Sequence, residues 1–231
     1  MFSILLSAFI LIVLLAIYYY FFYRPSNASS PTNPIDQCSL MYDRDRIYEY
    51  DNILTPQECQ TIIQLAAPHV SRSHVLSKQK YDKSRTSSHT FLKSNVHPII
   101  EKIDQIVYSY LKIPIENYES LQVVNYKSTQ KYDAHYDACD PEEEICQDDM
   151  KRGGLRYATF IIYLNDDFEG GETEFPIHNY KAKPKTGKAV LFFNLDDRNQ
   201  TRRHNSFHGG LPPTTGEKWM CNKWIRLGKF M

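Results

Sequence analysis

A chain of 231 residues has room for one sizeable domain with an appendage. Its formal net charge is zero and no long basic run is present, so the sequence gives no support for nucleic-acid binding. Five cysteines without a C-x-x-C pair exclude a disulfide-scaffold protein, whereas seventeen tyrosines and twelve phenylalanines suit a β-rich core.

The N-terminal segment predicts a membrane anchor. Residues 2–23 contain no charge, and the segment ends in an aromatic cluster followed by Arg24, which is typical of an interfacial belt. A bilayer core needs about 20 apolar residues, whereas the apolar core of a signal peptide has only about 7–15. We therefore expect an anchor at 1–23, a polar, proline-containing stalk at 24–40 and a folded domain at 41–231.

Two tripeptides fit the acceptor pattern for N-glycosylation. They begin at Asn27, in the stalk, and at Asn199, in the folded domain. Such acceptors are compatible with a domain that faces the secretory lumen. The expectation is a membrane-anchored protein whose folded domain lies in the lumen of the endoplasmic reticulum or Golgi.

Two amphipathic helices are predicted before the strand-rich region. Thr55 followed by Pro56 is typical of an N-cap and a first helical position, with Glu58 at capping-box spacing, and the helix should end near Ala67. Apolar residues at a period of 3.6 predict a second helix over 96–111. The polar stretch 71–88 between them, taken by itself, predicts a solvated loop.

From Leu121 onward the pattern changes to short strands separated by turn residues. The expected strands are 120–126, 131–137, 155–164, 172–175, 188–194, 204–209 and 217–226. Two helices followed by many short strands indicate a mainly β fold, an antiparallel sandwich or barrel with helices flanking one side.

The strand at 131–137 carries an imidazole and a carboxylate two residues apart, His135 and Asp137. Residues i and i+2 of a strand leave the backbone on the same face, so both groups can reach one point. One histidine and one carboxylate are two-thirds of the facial triad that holds Fe(II) in non-haem oxygenases. Taken alone, however, such a pair is more often a surface feature or a hydrogen-bonded couple.

The segment that follows, 137–150, is strongly acidic and contains Cys139 and Cys146. An acidic run is usually a solvated loop, and its position after the candidate metal pair also suits a mobile lid. The two cysteines could form a disulfide, which would suit a luminal protein. The alternative is a zinc site shared with His135, although Asp137 favours iron.

Two histidines compete for the third ligand position, His204 and His208. His208 is better placed because Gly209-Gly210 follows it and lets the backbone pass close to a site. Lys218 follows ten residues later. A buried lysine can hold the distal carboxylate of a cosubstrate as a point charge, although a single lysine is more often a solvated surface residue.

Together these residues form an ordered series of motifs across residues 45–228. The series is His135-x-Asp137, Gly154-x-Arg156-x-Ala158-Thr159, Tyr163-Leu164-Asn165, Gly170-Gly171-Glu172-Thr173-x-Phe175-Pro176, Pro184-x-x-Gly187, Phe192-Phe193-Asn194, His208-Gly209-Gly210 and Gly216-x-Lys218-Trp219. It resembles the prolyl 4-hydroxylases and, more broadly, the Fe(II)/2-oxoglutarate dioxygenases. Each motif is weak by itself, and the order is the specific signal.

The resemblance implies a double-stranded β-helix (jelly-roll) core that uses Fe(II), 2-oxoglutarate as cosubstrate and L-ascorbate. It implies further that His135, Asp137 and His208 ligate Fe(II) and act in catalysis together with Lys218, which binds the distal carboxylate of 2-oxoglutarate. Matching positions implied to help hold that carboxylate are Tyr126 and Thr159. The positions implied to line a peptide groove are Arg85, Glu119, Tyr132 and Trp224.

By this resemblance the loop that contains Arg85 becomes a mobile segment covering the substrate, whereas the acidic insert with its two cysteines departs from the family pattern. The implied reaction is 4-hydroxylation of proline in a Pro-rich peptide, with O₂ consumed and succinate and CO₂ released. One alternative is a related dioxygenase acting on lysine or another side chain. The other is a non-enzymatic jelly-roll binding module.

Overall fold

The computed structural model describes residues 39–42, 47–73, 83–144, 146–196 and 201–231, with side chains from Ile47 onward. Within these ranges, no helix combines the length and apolar character needed to cross a bilayer. The anchor predicted at 1–23, the two acceptor asparagines Asn27 and Asn199, and the stalk up to residue 38 lie outside them. The described residues belong to one compact unit, Cys38–Met231.

The described part of the chain contains three α-helices and fourteen strands. The helices are α1 (Pro56–Ala66), α2 (Pro98–Leu111) and α3 (Cys146–Met150). The strands are β1 (Ser39–Tyr42), β2 (Ile47–Tyr50), β3 (Ser71–Arg72), β4 (Ser88–Leu92), β5 (Leu121–Lys127), β6 (Tyr132–His135), β7 (Arg156–Tyr163), β8 (Glu169–Gly170), β9 (Thr173–Phe175), β10 (Tyr180–Ala182), β11 (Ala189–Phe193), β12 (His208–Gly210), β13 (Pro213–Thr215) and β14 (Glu217–Arg226).

The strands form a large and a small sheet, both antiparallel, with a separate two-stranded ribbon of β8 and β13. The large sheet has the order β1-β2-β11-β7-β14-β5-β4-β3, and the small one β10-β9-β12-β6. Strands that are distant in sequence are neighbours in each sheet, because the chain crosses repeatedly from one sheet to the other. This mainly β architecture with flanking helices is as predicted, and its two antiparallel sheets are consistent with a jelly-roll.

The alternation of side chains along the strands creates two cores. One lies between the sheets, where Val124, Ile161 and Met220 of the large sheet pack with Phe175 of the small sheet. On the opposite face of the large sheet, residues such as Val123 pack against the two longer helices. The inner core borders the site described below, so the sheet holds the site on one face and the helices on the other.

The first long helix, α1, begins where the sequence predicts, and α2 begins two residues later than predicted. Thr55 and Glu58 form the expected capping box at the start of α1. The second helix begins at Pro98, with His97 as its N-cap. Val96 therefore precedes the helix and is 51% exposed, in contrast to the buried position that its periodicity predicts.

Candidate active site

Two histidines meet across the small sheet. His135 at the end of β6 and His208 at the start of β12 are direct partners in the antiparallel ladder, and their ring centroids lie 4.5 Å apart. The predicted strand 204–209 is shorter than expected, because residues His204–Ser206 form a 3-10 turn. That turn leaves His204 exposed and outside the cluster, whereas His208 is buried.

Asp137 completes the cluster from just beyond the end of β6. The strand ends at His135, so the carboxylate reaches the site from a bend rather than from a strand position. Its Oδ1 lies 3.5 Å from Nε2 of His135 and its Oδ2 lies 3.8 Å from Nε2 of His208. One ligand atom from each of the three residues lies within 4.8 Å of the others.

Backbone carbonyls fix which nitrogen of each imidazole faces the cluster. Nδ1 of His135 lies 2.9 Å from the carbonyl of Asp133, and Nδ1 of His208 lies 2.9 Å from the carbonyl of Ser206. Because a carbonyl only accepts, each Nδ1 must donate, so Nε2 is the nitrogen of each ring that faces the cluster. Burial also lowers the pKa of His208 to about 4, so this ring is neutral at physiological pH.

The donor set therefore fits a divalent iron. Two imidazole nitrogens and one carboxylate on one side of a metal are the facial triad of non-haem Fe(II) oxygenases. Burial alone would raise the pKa of Asp137, but the imidazoles of His208 and His135 and the Arg156 guanidinium hold that pKa well below its ordinary value. The carboxylate is thus ionised and available as a ligand.

Asp137 also receives two hydrogen bonds from the large sheet. The hydroxyl of Thr159 donates to its Oδ2 at 2.7 Å, and the indole Nε1 of Trp224 donates to the same oxygen at 2.9 Å. Thr159, which the resemblance places at the 2-oxoglutarate carboxylate, therefore contacts Asp137. Trp224 lines the groove and also contacts Asp137.

Lys218 lies fully buried on the same face of β14 as the cavity residues Met220, Asn222 and Trp224. Its Nζ donates to the carbonyl of Gly171 at 2.6 Å. Burial lowers its pKa to about 7, with Glu172 acting in the opposite direction.

Tyr126 pairs with Lys218 across β5 and β14, and Nζ lies 5.0 Å from the centre of its ring. The cavity next to the three ligands is lined by this tyrosine and also by Thr173 and Gly210. A Cβ at Gly210 would lie only 3.1 Å from the Tyr126 hydroxyl, so any larger residue here would push on this tyrosine where the two sheets approach.

Thr173 is a site residue that the motif comparison missed. It is buried on β9, opposite Gly210, and lines the inner cavity together with Tyr126. In the sequence, its position directly after Gly170-Gly171-Glu172 in the motif series is the one indication of a role. The pairing of β9 with β12 is what brings it to the cavity.

The outer groove, a wider opening over the three ligands, is lined by Arg85, Tyr132, Trp224 and several neighbours. The Tyr132 ring stacks on His135 with centroids 3.6 Å apart, and the Arg85 guanidinium lies 4.5 Å from the centre of the tyrosine ring. Arg85 is 7% exposed and forms a β-bridge with Tyr132, so this part of the predicted loop is packed rather than solvated.

Glu119 occupies a different place from the groove position expected for it. Its buried carboxylate accepts from Nε and Nη2 of Arg156 at 2.6 and 3.0 Å and from Nε of Arg226 at 2.8 Å. The Arg156 guanidinium in turn lies 3.6 Å from the centre of the Trp224 ring. Glu119 therefore acts on the groove indirectly: its carboxylate binds Arg156, and Arg156 packs on the Trp224 ring that lines the groove.

The acidic insert is fastened at several points. Cys139 and Cys146 form a disulfide, as one of the two sequence interpretations predicted. Neither cysteine can then supply a thiolate, which removes the zinc site with His135. Asp149 of α3 is buried and pairs with Arg226 at 2.7 Å, so the insert is part of the folded unit.

Comparison with known proteins decides the family. Residues 121–226 match the 2OG-Fe(II) oxygenase superfamily. The chain is similar to a putative prolyl 4-hydroxylase of Acanthamoeba polyphaga mimivirus, with 38% identity over 180 residues, 78% of this chain and 74% of that protein. The chain belongs to the prolyl 4-hydroxylase family.

Other prolyl 4-hydroxylases support this membership. The chain is 36% identical over 208 residues to probable prolyl 4-hydroxylase 3 of Arabidopsis thaliana, covering 80% of this chain and 70% of that one. It also resembles the 2OG complex of a viral collagen prolyl hydroxylase from Paramecium Bursaria Chlorella virus-1. That match has a TM-score of 0.64 and 31% identity, and it covers 79% of this chain and 97% of that chain.

As a prolyl 4-hydroxylase family member, this protein is a dioxygenase that uses Fe(II) and 2-oxoglutarate. The triad of His135, Asp137 and His208 is the metal-ligand cluster found among the described residues. The family membership and the chemistry of that cluster therefore agree.

Proposed function

We propose that this prolyl 4-hydroxylase family member hydroxylates prolyl residues of Pro-rich peptides at carbon 4. The observation that carries the proposal is the convergence of His135, Asp137 and His208 on a cavity also lined by Tyr126, whose ring centre lies 5.0 Å from Nζ of the fully buried Lys218. A metal triad on this cavity and a buried cation next to its Tyr126 wall suit a small dicarboxylate that contacts both.

When bound, Fe(II) couples oxidative decarboxylation of 2-oxoglutarate to succinate and CO₂ with insertion of one oxygen atom from O₂ into a C–H bond. His135 and His208 each supply an imidazole nitrogen, and Asp137 supplies a carboxylate oxygen. The two imidazoles are oriented by the backbone carbonyls of Asp133 and Ser206.

Lys218 holds the distal carboxylate of 2-oxoglutarate as a buried point charge. The hydroxyls of Tyr126 and Thr173, which line the same cavity, supply further hydrogen bonds. Binding returns a compensating negative charge to an ammonium group that burial otherwise disfavours. Selectivity for a dicarboxylate of the right length follows from the fixed position of this lysine.

The outer groove binds the peptide. Tyr132 and Trp224 present aromatic surfaces, and Arg85 lies over the Tyr132 ring. Such a surface suits an extended polyproline II peptide, which has little conformational entropy left to lose. The prolyl ring is thereby held next to the metal ligands while water is displaced from the groove.

The proposal includes an anchored, luminal enzyme that uses L-ascorbate to keep its iron ferrous. Its support is the apolar segment 2–23, the glycosylation acceptors at Asn27 and Asn199, and the disulfide Cys139–Cys146, a bond typical of oxidising compartments. Ascorbate is tested by repeated turnover with and without it, and the location by protease protection in microsomes.

The test is a peptide assay with defined products. The full chain is supplied with Fe(II), 2-oxoglutarate, O₂ and collagen-like or hydroxyproline-type proline peptides, and products are read by fragment mass spectrometry. We expect one oxygen atom added at proline, with 4-hydroxyproline on amino-acid analysis and one succinate for each hydroxylation. Hydroxylation of matched lysine peptides, or no oxygen transfer to any peptide, contradicts the proposal.

A further inference from the structure

Thr159 and Trp224 face each other directly in the ladder between β7 and β14. Both are buried, and both donate to the same oxygen of the candidate metal ligand, Oδ2 of Asp137, at 2.7 and 2.9 Å. The two donors come from adjacent strands of the large sheet, whereas the aspartate follows a strand of the small sheet. A cross-strand pair on one sheet therefore holds a ligand supplied by the other.

This arrangement saturates one carboxylate oxygen. An ionised carboxylate offers about two lone-pair sites on each oxygen, and two N–H or O–H donors occupy both sites on Oδ2 of Asp137. The other oxygen, Oδ1, faces Nε2 of His135 at 3.5 Å. Asp137 is thus able to bind a metal through a single oxygen, Oδ1.

We propose that Thr159 and Trp224 are positioning residues that clamp Asp137 in one-oxygen binding and thereby preserve open positions on the iron. The inference rests on the proposed function and deepens it. Three protein donors leave three of six octahedral positions for 2-oxoglutarate and O₂. If both aspartate oxygens bound the metal, one of those positions would be lost.

Each donor of the clamp is itself fixed. Nδ2 of Asn194 donates to Oγ1 of Thr159 at 2.9 Å, so the threonine hydroxyl accepts there and its own proton points to Asp137. Arg156 lies 3.6 Å from the centre of the Trp224 ring and holds the indole plane. Trp224 also lines the outer groove, so the groove wall and the metal ligand share one side chain.

The chain offers matched variants for a test. Trp224→Phe removes the indole N–H but keeps a ring beneath Arg156, and Thr159→Val removes the hydroxyl at nearly constant shape. Thr159→Ser restores the donor. Trp219→Phe makes the same change at the other tryptophan of the chain, which packs against the outer core on the opposite face of β14.

Co(II) loaded without oxygen is the probe, because its visible absorption reports coordination number and geometry independently of turnover. We expect Trp224→Phe and Thr159→Val to change the Co(II) spectrum and to weaken metal binding by about 10- to 100-fold. Thr159→Ser and Trp219→Phe should match the wild-type protein. In turnover the two clamp variants should lose kcat at a nearly unchanged KM for 2-oxoglutarate.

The outcomes separate the clamp from the proposed function. If the wild-type protein binds Co(II) and both clamp variants show its spectrum and affinity, with only the peptide KM raised, Trp224 is a groove wall and the clamp is refuted. A wild-type protein that binds no Co(II) refutes both. Should Thr159→Val fail to fold, the Trp224→Phe spectrum alone decides.

Discussion

His135 and His208 are direct partners across two antiparallel strands, although 73 positions separate them in the chain. A ladder of this kind fixes the distance between opposite side chains, so the two imidazoles are held by backbone hydrogen bonds rather than by each other. The sheet register therefore creates the nitrogen pair of the metal site. A one-residue change of register would move one of the two rings to the opposite face.

Replacement of His208 by alanine is expected to abolish Fe(II) binding and hydroxylation. Loss of a residue that supports a ligand costs about 10- to 100-fold in metal affinity, and loss of the ligand itself should cost more. His204→Ala is the matched control, because His204 is exposed and contacts Tyr136 instead of the cluster. Metal affinity by titration calorimetry and turnover are measured on both variants. The assignment of His208 is wrong if His204→Ala loses the metal and His208→Ala keeps it.

Local patterns predict much of this fold and some of its site. The period of 3.6 residues predicts both long helices, and Thr55 with Glu58 predicts the start of the first because a capping box is made within one turn. The spacing of His135 and Asp137 and the glycines after His208 likewise identify candidate ligands from a few adjacent residues. These features depend on short-range geometry that the sequence carries directly.

Other parts depend on long-range pairing. Thr159 and Thr173 are both buried threonines on strands, and only the arrangement of the two sheets brings one to Asp137 and the other to the inner cavity. Glu119 was expected in the groove, yet Arg156 and Arg226 approach it from 37 and 107 positions away. Non-local ion pairs of this kind leave no periodic signal in the sequence.

Removal of the buried cation should mainly weaken cosubstrate binding. Lys218→Met keeps the apolar length of the side chain and loses the charge, and a hydrogen bond to a charged group contributes about 1.5–3 kcal/mol. We expect the Kd for 2-oxoglutarate to rise by about 10- to 100-fold while Co(II) affinity is unchanged. Anaerobic titration of the metal-loaded protein with 2-oxoglutarate measures this, and an unchanged Kd would contradict the role of Lys218.

The pH dependence of cosubstrate binding follows from the lowered pKa of Lys218. Burial brings this pKa from 10.5 to about 7, so above pH 7 the free protein has lost a proton that a bound carboxylate favours. Binding then takes up one proton, and affinity should fall by about tenfold per pH unit above pH 7. The same shift makes the protein gain stability as pH rises from about 7, because the unfolded state keeps the proton longer.

Calorimetry in two buffers of different ionisation enthalpy measures that proton uptake. Lys218→Arg is the control, because a guanidinium stays protonated throughout this range and should bind 2-oxoglutarate without proton uptake. Equal proton uptake by the wild-type protein and Lys218→Arg would show that another group titrates.

The buried cluster of Glu119, Arg156 and Arg226 yields a stability prediction. Glu119→Gln leaves the buried Arg226 and the partly buried Arg156 without that carboxylate, although Arg226 keeps Asp149 as a partner. Breaking a buried ion pair costs about 3–5 kcal/mol of unfolding free energy. Because Arg226 keeps Asp149, we expect a loss near the lower end, about 3 kcal/mol.

Equilibrium unfolding in urea under non-reducing conditions measures the free energy of unfolding for this variant. Glu142→Gln is the control, because Glu142 is an exposed residue of the acidic insert and its replacement should stay within about 0.5 kcal/mol. Since Arg156 also holds the Trp224 ring, Glu119→Gln should raise the peptide KM as well, whereas Glu142→Gln should not. Equal unfolding free energies for the two variants would mean that solvent reaches the cluster and screens its charges.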